Sequence, residues 1–426
     1  MGRNIAWLLG GKGYTGLASL IYLAAAARAL GPMPFGLFAL VLAYGQAIAS
    51  LVQFQSWQTV IRYGAGHLIA AREAALARLL GFTATLDVGT ALIGAAIAIA
   101  GVHAAGPLLG WSAVEQHRAA LYGTALLLAV DATPSGILRL NDRFDLLSYA
   151  QAAAPSVRLV GALIAWWIGG GVVAFLAVWA VAALTRSAAS WIAAIACCGR
   201  RVALGPASFV AAARENRGVW RFMLATNLSA SFNMLWQQIG TLAVGGAAGA
   251  AAAGGFRLAA RLARGLAKPI KTVTLALYPE LARLVAGNDR ETLRRVSVRI
   301  GRVALALAAL LVAVAILEGP LLLHAFAGPS FEFARAFLLL LAIASAINLS
   351  GFALDPLLTA HGRAGAVLAA RGAGAALYAL LLLLLLPRIG AIGAAVGEVG
   401  AMLVVRLMLE VATRRLFSST RSNTSI

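Results

Sequence analysis

Charge is scarce in this 426-residue chain, and acid scarcest of all: Asp, Glu, Lys and Arg together make up 12% of it, and only 15 residues are acidic. A soluble domain carries roughly a quarter charged residues, so water is not the main solvent here. Cysteine is nearly missing as well. Cys197 and Cys198 are the only two and are adjacent, which excludes a disulfide framework and metal-ligand spacing and leaves them as packing residues near a helix end. His67, His103, His117, His324 and His361 are scattered, without H-E-x-x-H or any ligand spacing, so no metal site is expected. No polar stretch is long enough to hold a globular catalytic domain.

What the chain has is apolar length. Hydrophobic residues make up 61% of it, and the mean hydropathy is +0.87. A membrane span needs about 20 mostly apolar residues to cross a hydrocarbon core of about 30 Å. Such runs fall at 5–30, 34–56, 76–101, 118–139, 146–168, 172–196, 219–246, 254–280, 297–322, 333–354, 364–387 and 390–412. The expected fold is therefore an all-α polytopic membrane protein of about 12 spans. Arg3 and Lys12 ahead of an apolar stretch superficially suggest a signal peptide; Lys12 interrupts it, so an uncleaved first span is expected.

The net charge of +20 would suggest nucleic acid in a soluble protein. In a membrane protein, Lys and Arg instead gather in cytoplasmic loops. Arg62, Arg72 and Arg78, then Arg200, Arg201, Arg214, Arg217 and Arg221, fall on alternate connections; so do the Arg290 to Arg302 group and Arg414, Arg415 and Arg421. Those connections, and both termini, are expected to be cytoplasmic, and no nucleic-acid partner is expected.

Short matches recur at one offset. Arg143 opens a span that ends at Ile168, and Arg363 opens one that ends at Ile389; 363 − 143 = 220 and 389 − 168 = 221. Gly36 and Gly255 share a Gly-Phe setting, and 255 − 36 = 219. Two parallel six-span halves follow, with expected bundles at 1–200 and 219–426 and a cytoplasmic linker at 201–218.

The segment after Phe256 carries Arg257, Arg261, Arg264, Lys268 and Lys271 at spacings of 4, 3, 4 and 3. At about 100° per residue these five share an arc of about 80° on one helix face. An interfacial helix would account for them, but a non-crossing segment here would break the charge alternation that follows. A spanning stripe of cations must face a water-filled cavity, because each costs roughly 2.5–3.5 kcal/mol at mid-bilayer. The stripe runs about 21 Å along the axis and suits a diphosphate. Arg28, Arg158, Arg186 and Arg371 are further cations inside spans, with Asp87, Asp131, Asp355 and Glu398 as the acids. Asp131 and Asp355 fall at related positions, 355 − 131 = 224. Each either binds a coupling cation, H+ or Na+, or neutralises an arginine.

Two other signals carry less. Gly11-Lys12-Gly13-Tyr14-Thr15-Gly16 satisfies G-x-G-x-x-G, but no strand precedes it and no acidic residue follows at about 20 positions, so no nucleotide cofactor is expected. Asp142 and Asp145 form a carboxylate pair in a very short loop and read as solvated.

Arg28-Ala29-Leu30-Gly31-Pro32 with Phe35-Gly36-Leu37-Phe38 resembles the first loop and second span of Wzx-type oligosaccharide flippases, polysaccharide biosynthesis proteins of the MOP (multidrug/oligosaccharidyl-lipid/polysaccharide) superfamily. Ala253 to Arg261 followed by Tyr278-Pro279-Glu280-Leu281 resembles that family's eighth span, and Leu386 to Ala395 its last hairpin. The usual acid after Leu-Gly-Pro is replaced by Met33-Pro34. The resemblance implies two six-helix bundles around a central cavity in the bacterial inner membrane. It also implies a polyprenyl-diphosphate-linked oligosaccharide as cargo, flipped for surface polysaccharide such as O-antigen, lipopolysaccharide or exopolysaccharide, alongside membrane lipid and other assembly proteins. Under it, Arg257, Arg261, Arg264, Lys268, Lys271, Arg28, Arg158 and Arg371 are the candidate substrate-binding cations, and no reaction is catalysed. A MATE-like drug exporter and a membrane-embedded glycan polymerase or ligase are the alternatives. The first would favour acidic cavities; the second usually needs a large outer loop, and the longest here is about 16 residues.

Overall fold

The computed structural model describes the backbone of residues 2–199, 206–276, 290–351, 354–360 and 363–419. Among them the regular structure is helical throughout. The first helices are α1 (Gly2–Leu30), α2 (Pro32–Val52), α3 (Ser56–Ile69), α4 (Glu73–Leu108), α5 (Ala113–Leu128), α6 (Ala132–Leu140), α7 (Phe144–Trp167) and α8 (Val172–Cys198). After them come α9 (Pro206–Glu215), α10 (Val219–Ala276), α11 (Arg290–Leu317), α12 (Gly319–Ala327), α13 (Arg335–Ser350), α14 (Leu354–Ala360), α15 (Ala364–Ile389) and α16 (Ala391–Ser419).

Among the described residues eight helices are long and apolar enough to cross a membrane; α11 and α12, bent by 66° at their junction, make a ninth. Two more helices have span length, α1 with 29 residues and α7 with 24, and α10, counted once among the eight, has 58 residues with a turn at Gly249, enough for two crossings. The dozen crossings expected from apolar runs is reached with these three further crossings. α1 and α7 are less apolar because they carry polar groups such as Lys12, Gln151 and Arg158 inside the run.

The chain forms two compact units, Met1–Leu242 and Ala243–Ile426. In the first, an aromatic cluster holds α1, α2 and α8 together. Phe38 packs on Trp179 with ring centroids 5.0 Å apart, and Tyr22 meets the same indole edge-on at 5.2 Å. Phe35 and Phe38 of the Phe-Gly-Leu-Phe run are fully buried, so that motif is core packing. The stretch expected as a linker contributes α9, which docks on α4. Phe82 stacks against Phe209 at 4.6 Å and Trp220 at 5.3 Å. Arg78 grips Glu215 through two hydrogen bonds, of 3.2 and 2.6 Å. α4 has 36 residues, about 54 Å at 1.5 Å each, so it overshoots a hydrocarbon core of about 30 Å and leaves a polar end for α9 to cover.

In the second unit, Leu266 and Ala267 of α10 pack against Ala308 and Leu311 of α11 and Ala346 and Leu349 of α13. A Cβ on Gly255 would lie 2.6 Å from the Phe333 ring, so the Gly254-Gly255 pair is a close approach between α10 and the turn before α13.

Left-handed glycines repeat the offset seen in the sequence. Gly31 and Gly249 have φ of 71° and 83°, and 249 − 31 = 218; Gly110 and Gly328 have 65° and 85°, and 328 − 110 = 218. Gly169 and Gly390 have 67° and 62°, and 390 − 169 = 221. Each glycine turns the chain where an L side chain would be strained. Each half therefore places its turns at the same register.

Candidate functional site

Two apolar spans of the first unit are broken in mid-course. α2 stops at Val52 and resumes as α3 at Ser56; α5 stops at Leu128 and resumes as α6 at Ala132. A break inside a bilayer strands backbone groups that no water satisfies, so other groups must reach in. They do. Asp87, from the middle of α4 and 4% exposed, accepts the Ser56 hydroxyl and, through its other oxygen, both the backbone N–H of Thr133 at 2.9 Å and its hydroxyl at 2.7 Å. The Val130 carbonyl accepts from Ser187 Oγ at 2.5 Å and Trp191 Nε1 at 3.1 Å. Gln53 Nε2 donates to the Leu127 carbonyl at 3.2 Å, tying one break to the other. Gly136 lets α3 and α6 cross: a Cβ there would lie 2.9 Å from the Trp57 Cα.

At these breaks the first unit encloses a cavity of about 510 Å³. Arg139, Arg158 and Arg186 line it with Asp87 and Asp131, and the rest of its polar wall is largely amide and hydroxyl. Arg186 pairs with Asp131 at 3.1 Å. Arg139 lies over the Trp57 ring at 4.1 Å, and Arg158 over Trp179 at 5.6 Å. Arg139 Nη1 and Arg158 Nε are buried with no hydrogen-bond partner among the described residues.

Of the cations expected to bind substrate, Arg158 lines this cavity, and so does Asp131. Arg28 lies exposed in the last turn of α1, outside the residues lining it. Arg257 and Arg264 of the stripe are half-buried in the second unit and Arg261 is exposed; the side chains of Lys268 and Lys271 lie outside the described residues. Arg264 is within electrostatic reach of Glu398 on α16 and the Tyr378 hydroxyl on α15. Arg371 donates to Asp355 at 2.6 Å and to Asn348 at 3.3 Å. Both acids weighed as cation sites thus hold an arginine, from different helices: Asp131 pairs with Arg186 of α8, Asp355 with Arg371 of α15.

The discounted signals find structural places. The Gly11 to Gly16 stretch lies within α1, and among the described residues no cluster of His, Cys, Asp and Glu is set to hold a metal. Tyr278 to Leu281 lies outside the described residues. In the first turn of α7, the Asp145 carboxylate accepts two hydrogen bonds from the Arg143 guanidinium, both at 3.0 Å, so it is paired within the protein.

Charge and stripe geometry did not single out the amide wall. Gln46, Gln53, Gln55, Gln151, Gln237 and Gln238 all line the cavity. The available signal was amide side chains inside otherwise apolar runs.

Comparison with known proteins adds family and fold. A family model described as polysaccharide biosynthesis protein matches residues 1–285. The inner membrane protein YghQ of Escherichia coli (strain K12) is 31% identical over 288 residues, covering 66% of this chain and 80% of that one. Among solved structures, an inward-facing multidrug resistance MATE family transporter of the MOP superfamily superposes with a TM-score of 0.70 at 16% identity over 96% of both chains. The lipid II flippase MurJ in an inward closed conformation gives 0.62 at 13% identity, over 96% of this chain and 87% of that one. At such identities the two structures establish the shared fold alone.

Proposed function

The chain belongs to the polysaccharide biosynthesis protein family, and from that premise we propose that it is a flippase carrying polyprenyl-diphosphate-linked oligosaccharide across the bacterial cytoplasmic membrane by alternating access. The observation that carries this reading is a polar cavity of about 510 Å³ enclosed by the spanning helices of the first unit. A hydrated hollow in a bundle of apolar helices is costly to maintain and serves a polar passenger. Membership of a polysaccharide biosynthesis family supports a polysaccharide precursor as the passenger, and its diphosphate would be a natural counterpart for Arg257, Arg261, Arg264, Lys268 and Lys271. The lipid tail stays in the bilayer. In this reading both termini are cytoplasmic, which the basic connections support through the charge rule.

The MATE-like fold alone would also suit a drug exporter. The basic stripe opposes that, since cationic drugs favour acidic cavities. The test is export in cells: Arg261→Ala with Arg264→Ala abolishes surface glycan while protein level in the membrane is unchanged. Normal glycan in that variant sinks the assignment, and drug sensitivity on gene deletion with glycan intact moves it to the exporters.

A further inference from the structure

The chain has eight glutamines. Six of them, Gln46, Gln53, Gln55, Gln151, Gln237 and Gln238, line a single polar cavity in the first unit, and none of the eight falls after Gln238. They come from α2, the break after it, α7 and α10, so neither sequence proximity nor a single amphipathic face explains their convergence. Five of the six are half-buried and Gln237 is exposed; amides at membrane depth are costly unless they face something polar.

Both carboxylates of the cavity and one of its three arginines are engaged within the protein; Arg139 and Arg158 each keep a buried nitrogen without a hydrogen-bond partner among the described residues. Arg186 holds Asp131, Asp87 accepts from Ser56 and Thr133, and Arg139 and Arg158 lie against the rings of Trp57 and Trp179. What the wall offers beyond them is amide. One amide carries two donor hydrogens and two acceptor lone pairs, so an internal bond, such as that from Gln53 to the Leu127 carbonyl, leaves capacity for a ligand. A sugar hydroxyl both donates and accepts, and neighbouring hydroxyls repeat that alternation, which a set of amides matches. A diphosphate only accepts, so the amide oxygens and both carboxylates give it nothing to bind and only the N–H donors of the wall would serve it. The cavity's size is within the roughly 300–1,000 Å³ of small-molecule sites.

We propose that the cavity of the first unit is a carbohydrate subsite, in which the six glutamines read the hydroxyls of the glycan and set which repeat unit is carried. This rests on the flippase reading and divides its labour: the glutamines select the sugar, and the diphosphate is held elsewhere.

The test uses the full chain in proteoliposomes containing the lipid-linked repeat unit of its own cells. Two competitors are added separately: the same oligosaccharide freed of lipid, and bare polyprenyl diphosphate. Gln151→Leu with Gln238→Leu is expected to weaken inhibition by the free oligosaccharide about tenfold, the scale of one or two lost hydrogen bonds. Inhibition by bare polyprenyl diphosphate stays unchanged, which also shows that the variant is folded. Gln151→Asn with Gln238→Asn recovers part of the loss. Equal weakening of both competitors would make the cavity an anion site and overturn the proposal, and no change in either would remove it as a substrate site. Wild-type protein that flips no repeat unit at all overturns the flippase reading itself.

Discussion

Asp87 on α4 accepts both the backbone N–H and the hydroxyl of Thr133, at 2.9 and 2.7 Å, so one buried carboxylate caps the half-helix that restarts after the break at residues 129–131. Its other oxygen takes the Ser56 hydroxyl at the start of the second restarted half-helix. Two broken spans therefore share one clamp.

Removing that clamp leaves a backbone N–H and two hydroxyls without their acceptor. Asp87→Ala is expected to cost about 2 kcal/mol, and Asp87→Asn about half as much because the amide keeps one acceptor oxygen. Thermal unfolding of the detergent-solubilised chain measures this. Equal midpoints for wild type and Asp87→Ala would show that the breaks are held by something else.

Gly136 is where α3 and α6 come closest. Its Cβ would stand 2.8 Å from Val60 Cβ and 2.9 Å from Trp57 Cα, so Gly136→Ala must push backbone away. The expected loss is about 1–3 kcal/mol by overpacking. Gly10→Ala, whose Cβ would meet nothing within 4 Å, is the control and should be neutral or slightly stabilising. Similar midpoints for both variants would contradict the contact.

Asp355 and Arg371 are partly exposed, so their 2.6 Å pair is worth modest energy. A double-mutant cycle with Asp355→Asn and Arg371→Gln is expected to give a coupling of about 1 kcal/mol. Strict additivity would show that the two residues are not energetically coupled and reopen the coupling-cation reading of Asp355.

The docking of α9 is testable by protease. Phe209→Ala removes a ring that packs on Phe82 and Trp220 and is expected to speed tryptic cutting at Arg214 and Arg217 several-fold, without changing the yield of the remainder. Unchanged cutting would show that the segment is held without that ring, by contacts such as Arg78 with Glu215 and His67 with Asn216.

Long apolar runs and charge alternation made the helical, multi-pass class readable from the sequence, and the Gly-Phe and Ile-Gly matches showed its repeat. Those features are local or periodic. The breaks after Val52 and Leu128 were not legible, because residues 53–55 and 129–131 contain no Pro or Gly, and what satisfies them comes from α4 and α8, far away in sequence. The place of α9 was hidden for a related reason: a short polar segment reads as a linker until the protruding end of α4 is there to receive it. The glutamine set was visible only as amides in different apolar runs, and folding alone brings them to one wall.

The most direct test of the central claim is where lipid-linked repeat units collect when the gene is deleted, read by leaflet-specific labelling of the sugar in intact and everted vesicles. The flippase account predicts accumulation on the inner leaflet. Accumulation on the outer leaflet would contradict it, because the units would then have crossed without this protein and lacked only a later polymerising or ligating step.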